Sequence, residues 1–211
     1  MLFRSVKRYK ISVHGPGGHS YGDFGRPNAI HALGRIANTL AGIDVPATPK
    51  TTYNIGRIGG GTVVNAIAED AWMEVDLRSE SPEALARIER ALLDAVPAGI
   101  TAENAMRAGS KTAVAAKVDL IGNRPAGQTS ASDPLVQAAQ AAVRSLGKTP
   151  TAEFASTDAN LPMSLGLPAI TVGGGGRSGN AHSLGEWFEP AEAWLGPQSL
   201  LLTIVTYDAA R

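Results

Sequence analysis

The sequence predicts an α/β chain in two parts. The first is an α+β part, a four-stranded antiparallel sheet with two helices on one face, and an incomplete α/β domain follows it. Three observations predict this. Residues 8–13 and 69–77 alternate apolar and polar side chains, the mark of half-buried strands. Residues 28–40 and 81–96 carry apolar side chains at helical spacing. Residues 168–183 join a short β-branched apolar run to four glycines and a histidine, as expected beyond the carboxyl end of a buried strand in an open α/β sheet.

In the first strand Tyr9, Ile11 and Val13 share one face and Arg8, Lys10 and Ser12 the other. The turn G-P-G-G-H-S follows, with His19 exposed on it. Ile30, Leu33, Ile36, Ala37 and Leu40 form a helical stripe, and Pro27 is placed at the first helical position. Residues 51–58 read as a second strand, residues 59–62 as a loop that leads into 63–68, and residues 69–77 as a third strand with Met73, Val75 and Leu77 inward. Ser81 caps the next helix, with Pro82 and Glu83 in its first turn and Leu85, Ile88, Leu92 and Val96 as its stripe. Residues 97–99 are expected to interrupt it before a weaker helical stretch to Arg107, and residues 114–121 to form a last strand. Strand, helix, strand, strand, helix, strand is the split βαβ order, and the first domain is set at residues 7–121.

From residue 122 to 211 the pattern changes. Ser132 or Asp133 caps a helix that starts at Pro134, buries Leu135, Val136, Ala139, Val143 and Leu146, and ends at Gly147. A short strand is expected over 152–155, a short helix over 158–165 capped by Thr157 or Asp158, a buried strand over 168–172 and an apolar helix over 195–207. Two strands are too few for a sheet of their own, so this domain reads as incomplete.

The totals exclude several classes of function. Nineteen basic residues balance nineteen acidic ones, which argues against a nucleic-acid partner or a polybasic membrane surface. With no cysteine, disulfides and thiolate metal sites are out. No run reaches the roughly 18 apolar residues of a membrane span, and the first residues lack the apolar core of a signal peptide, so a cytoplasmic location is expected.

Of four histidines, His14 on a strand and His31 on an alanine-rich helix read as structural. His19 lies in a glycine turn with nothing apolar beside it, and His182 ends the loop after Gly173, Gly174, Gly175 and Gly176. Zinc needs three or four such ligands. No H-x-D, H-E-x-x-H or paired glutamates occur, so the residues alone do not make a metal site. The glycine run lacks the phosphate-loop pattern G-x-x-x-x-G-K-[ST], and no G-x-S-x-G elbow supports a serine nucleophile.

Five ordered segments carry a resemblance: G-P-G-G-H-S-Y-G-D-F-G-R-P-N-A-I, I-G-G-G-T-V-V-N-A-I, M-E-V-D-L-R-S, S-T-D-A-N-L-P-M-S-L-G-L-P-A-I-T-V-G-G-G-G and A-H-S-L-G-E-W. They resemble the co-catalytic zinc peptidases and deacylases, a family that includes peptidase T, acetylornithine deacetylase and succinyl-diaminopimelate desuccinylase. The resemblance implies that residues 7–121 are a lid, or dimerisation, domain and residues 122–211 the C-terminal part of a zinc-hydrolase catalytic domain. It further implies that His182 is a zinc ligand, and that His19 reaches into a partner's active site in a homodimer to stabilise the oxyanion. Asn65 would hold substrate and Arg78 would pair with a substrate carboxylate, while Ser156, Thr157 and the amides of Gly174 and Gly175 would line the pocket. Small peptides or acyl amino acids are the substrates so implied, and two zinc ions the cofactor of a complete site. The family's H-x-D, bridging aspartate and glutamate pair are not in this sequence. The expectation is therefore a fragment of a dizinc amidohydrolase that is inactive alone. The alternatives are a dimerisation module that completes a site on a separate chain and, through the glycine loop, a nucleotide-binding protein.

Overall fold

The computed structural model describes residues 5–152 and 156–209, which form two units on either side of the junction between Pro125 and Ala126. Among the described residues, no helix is long and apolar enough to cross a membrane.

The first unit is built on strands β1 (Ser5–His14), β3 (Thr51–Gly60), β5 (Asp70–Ser79) and β6 (Ala115–Arg124). They form one antiparallel sheet in the order β3-β5-β1-β6, with Ile11 opposite Met73 on one side and Val118 on the other. Helices α1 (Ala29–Ala41) and α2 (Pro82–Met106) cover one face of it. The period-two pattern of the strands explains the core: Ile11, Val13, Met73, Val75 and Leu77 are buried against Leu33, Ile36 and Leu40 of α1 and Leu85, Ile88 and Leu92 of α2. The four-stranded sheet with two helices is the architecture that the alternating segments predict.

Three details differ from the sequence-based expectation. Pro27 is not the first helical residue, because Asn28 caps α1 and its side chain accepts from the N–H groups of Ile30 and His31. Helix α2 runs unbroken through Pro97, which is exposed on its solvent side. Gly99 belongs to the packing, since a β-carbon there would lie 2.5 Å from Ile36 Cγ1, so glycine lets α1 and α2 approach. The third detail is a two-residue ladder with no periodic signature, in which β2 (Gly18–His19) pairs with β4 (Ala66–Ile67).

In the second unit α3 (Pro134–Ser145) is capped by Asp133, whose carboxylate accepts from Leu135 N, and Gly147 ends it at φ +71°. Its buried positions are Val136, Ala138 and Ala142, one face over from the predicted stripe, and this small-residue side packs on α5 (Leu195–Ala209). Helix α4 (Asn160–Ser164) is shorter than expected. Apart from Ala152, the strand expected over 152–155 lies outside the described residues.

The buried strand expected over 168–172 is not one. Those residues belong to no strand, and Ile170 and Val172 are half-buried. A strand needs a neighbour for its amides. Here the Thr129 hydroxyl stands in for one, donating to Ala169 O (2.6 Å) and accepting from Ala169 N (3.0 Å). Among the described residues, the strands of this unit form a hairpin that the sequence did not suggest, β7 (Arg177–Gly179) with β8 (Trp187–Glu189).

Candidate functional site

The turn carrying His19 is held from inside. Gly18 sits at φ +139°, and a β-carbon on it would lie 2.8 Å from Asp23 Oδ2, so only glycine lets the turn close. That carboxylate accepts from His19 N (2.8 Å), and Asp23 N donates back to His19 O (2.9 Å). Arg26 pairs with Asp23 at 2.8 Å. The imidazole is fixed as well: Tyr21 N and Gly22 N both donate to His19 Nδ1 at 3.2 Å. With Nδ1 occupied as an acceptor, the neutral ring carries its proton on Nε2. His19 is thus an exposed imidazole whose free nitrogen is a donor.

Asn65 comes to the same place through the β2–β4 ladder. His19 lies opposite Ala66, and Ser20 N donates to Asn65 O (2.9 Å). Arg78 does not. On β5 it lies eight residues from Asp70, about 26 Å along the strand at the usual rise, and Asp70 pairs with His14 at the end from which the His19 turn departs. Arg78 Nε donates to Asp76 at 2.5 Å. Burial pushes the Asp76 carboxyl up, but hydrogen bonds from Arg78 and Arg8, with their charges, overcome this and hold it below the usual carboxylate value. The structure therefore brings together His19 and Asn65 and leaves Arg78 at the far end of the sheet.

In the second unit His182 rides the loop of the β7–β8 hairpin in a left-handed conformation, φ 67°. The loop ties itself down: Asn180 Nδ2 donates to Gly185 O (3.2 Å), Ser183 Oγ to Asn180 O (2.7 Å) and His182 N to Glu186 Oε2 (3.3 Å). The imidazole is exposed. Gly175, at φ +82°, would place a β-carbon 2.3 Å from Ala193 O, and a β-carbon on Gly196 would lie 2.1 Å from Gly174 O, so this part of the glycine run is pressed on the chain entering α5, while a β-carbon on Gly173 would meet open space. Thr157 Oγ1 shares a hydrogen bond with Thr171 Oγ1 (2.7 Å), and Asn160 Oδ1 accepts from Thr157 N (2.8 Å). Ser156 precedes them and is half-buried. An apolar cleft of about 300 Å³, with Val136, Val143, Ile170, Val172 and Gly175 in its wall, lies between α3, α5 and this segment.

These residues do not by themselves fit the zinc pair that the resemblance implies. Among the described residues no three His, Cys, Asp or Glu side chains converge closely enough to hold a metal ion. His182 alone offers one ring nitrogen.

Sequence reasoning singled out His19 and His182 but missed Asp23, which holds the backbone of the first of them. An acid four residues after a histidine in a glycine turn is the signal that could have found it.

Comparison with known proteins gives the class. Residues 3–102 match the model of the peptidase dimerisation domain. The first unit is therefore similar to that domain. An N-acetyldiaminopimelate deacetylase of Priestia megaterium is 30% identical over 115 residues, 52% of this chain and 31% of that protein. Among solved structures, aminopeptidase PepT of Bacillus cereus superposes with a TM-score of 0.66 at 18% identity, covering 98% of this chain and 53% of that one. An amidase of the hydantoinase/carbamoylase family from Burkholderia vietnamiensis gives 0.71 at 17% identity, covering 98% and 48%. These two likenesses speak to the fold. The chain spans about half the length of the solved structures and about a third of the curated relative.

Proposed function

We propose that this chain serves the hydrolysis of amide bonds in small peptides or acyl amino acids, as part of a zinc-dependent peptidase or deacylase. The observation that carries this reading is the His19 ring, with Nδ1 filled by two backbone N–H groups and Nε2–H left as its donor beside Asn65. A fixed neutral donor is suited to the oxygen of a polarised amide carbonyl and to the oxyanion that forms from it, since donors held in place need no reorganisation as charge develops. Asn65 adds an amide that can hold the substrate. Arg78 would meet a substrate carboxylate with the guanidinium N–H groups that Asp76 leaves over. In the second unit Ser156, Thr157 and the amides of Gly174 and Gly175 are assigned to substrate binding, and His182 to one ligand position of a zinc centre whose other ligands are not among the described residues. The first unit mediates a homodimer, and the protein works in the cytoplasm.

A second reading has its own support. Helix α5 turns Leu201, Ile204 and Val205 outward, each more than half exposed, and a helix apolar all round is suited to burial on every side. This favours a module that docks on further polypeptide and completes a site there, without turning over substrate alone.

Titration of ¹⁵N-labelled chain with an N-acetyl amino acid tests the main reading. Resonances of His19, Ser20 and Asn65 are expected to move and to stop moving in Asn65→Ala. An unchanged spectrum at millimolar ligand would remove the substrate role of this turn. Zinc content after loading and desalting tests the ligand count, with less than one tightly held ion per chain expected. Two ions per chain with turnover of dipeptides would show a complete site.

A further inference from the structure

Glu103 has no exposed surface, and nothing above gives it a role. It lies near the end of α2 and faces the start of α1. Its Oε1 accepts from Asn28 N (3.2 Å) and its Oε2 from Arg35 Nε (3.0 Å). The Arg107 guanidinium lies 3.6 Å from Oε1 and the His31 imidazole 3.8 Å from it. A buried carboxylate is costly unless paired and hydrogen-bonded, and apolar side chains would join two helices more cheaply. What they could not do is hold a backbone N–H and aim a guanidinium.

Both of those attachments lead to the His19 turn. Asn28 caps α1 and is the point at which the turn ends. Arg107 carries its guanidinium over one side of the Phe24 ring, 5.9 Å from the centroid, and the ring stays 82% exposed with the guanidinium beside it. Phe24 directly follows Asp23, whose carboxylate bonds His19 N. One buried charge thus reaches both ends of residues 24–28, by a hydrogen bond at Asn28 and by its charge on Arg107 at Phe24, and the segment that fixes the imidazole leads into them.

We propose that Glu103 is the positioning residue of the His19 turn: it anchors the turn directly at Asn28 and through Arg107 at Phe24. The proposal rests on the reading of His19 as a substrate-facing group, but the anchorage can be measured without any substrate.

The experiment is NMR on the labelled full chain, comparing wild type, Glu103→Gln and Arg107→Met. Two readouts are used: backbone order parameters, and the ring ¹⁵N shifts that report the His19 tautomer. In Glu103→Gln the order parameters of residues 19–24 are expected to fall from about 0.85 to below about 0.6 while those of β1 and β5 stay in the rigid range, and the single His19 tautomer to become a mixture. Arg107→Met, which leaves Arg35 and Asn28 N on Glu103, is expected to loosen residues 22–25 alone. A purely structural role would lower the melting temperature and leave turn and tautomer as they are, and that result overturns the proposal. If Glu103→Gln does not fold, Arg107→Met decides, and an unchanged turn in it overturns the proposal. A loosened turn in Glu103→Gln with no response of wild-type His19 to N-acetyl amino acids would support the anchorage and refute the substrate role.

Discussion

Helices α1 and α5 are close in length and both rich in leucine and isoleucine, yet they meet solvent with opposite sides. Helix α1 buries Leu33, Ile36 and Leu40. Helix α5 buries Gly196, Ser199 and Thr203, with the Thr203 hydroxyl turned back onto Ser199 O (2.7 Å), and leaves Leu201, Ile204 and Val205 out. The difference lies in pattern. The apolar residues of α1 recur at three and four and make one face, whereas α5 is apolar on every side and the residues it buries are small, as are Ala138 and Ala142 among the buried residues of α3, the helix it packs on. The first unit closes its own core, and the second does not.

Hydrogen exchange should show the largest contrast. Amides of β1 and β5 are expected to exchange at least about a hundredfold more slowly than those of α5, and equal protection would abolish the distinction. Next comes a pair of truncations. Ile36→Ala opens a cavity in a closed core and should cost about 2–5 kcal/mol, whereas Leu201→Ser should cost less than about 0.5 kcal/mol, both by urea denaturation. Gly99→Ala tests the helix contact of the first unit from the other direction, because its methyl would overlap Ile36, and a loss of about 1–3 kcal/mol is expected. Neutral behaviour there would show that α1 can move aside.

The caps compare the units on equal terms. Ser81 accepts from Ala84 N (3.2 Å) and Asp133 from Leu135 N (2.9 Å), so Ser81→Ala and Asp133→Ala should each cost about 1 kcal/mol of helix stability. If the second unit is the weaker, the loss should appear as local fraying of α3 in circular dichroism. The smallest effect is one of pH. Because the folded carboxyl of Asp76 is held below its ordinary value, its contribution is complete above the unfolded value of about 4 and is lost as pH falls through the lowered one. Wild type should therefore lose stability more steeply than Asp76→Asn below about pH 4. The difference should be under about 1 kcal/mol, as the pair is partly exposed. Parallel acid titrations would dismiss the pairing with Arg8 and Arg78 as a contributor.

The legible parts of this protein are those written in local chemistry. Alternation gave β1 and β5, helical spacing gave α1, spacing and capping side chains gave α2 and α3, and the likeness of residues 3–102 to peptidase dimerisation domains was visible in motifs. A glycine turn bearing His19 and a glycine loop leading to His182 could also be picked out, because glycine runs and unflanked histidines are conspicuous. Pro97 misled because a helix breaker reads the same whether or not the surrounding packing keeps the helix whole. The run at 168–172 misled because apolar, β-branched composition is a local signal, whereas a strand is made by pairing across the fold.

By itself, then, the sequence determined the four long strands and the two helix positions of the first unit and which loops bear histidines, since period and capping act over a few residues. Only the tertiary structure decided that His19 donates through Nε2, that Asn65 joins it while Arg78 does not, and that a carboxylate 75 residues from Asn28 holds the turn in place. Those outcomes depend on backbone groups and charges brought together across the fold, and no spacing along the chain encodes them.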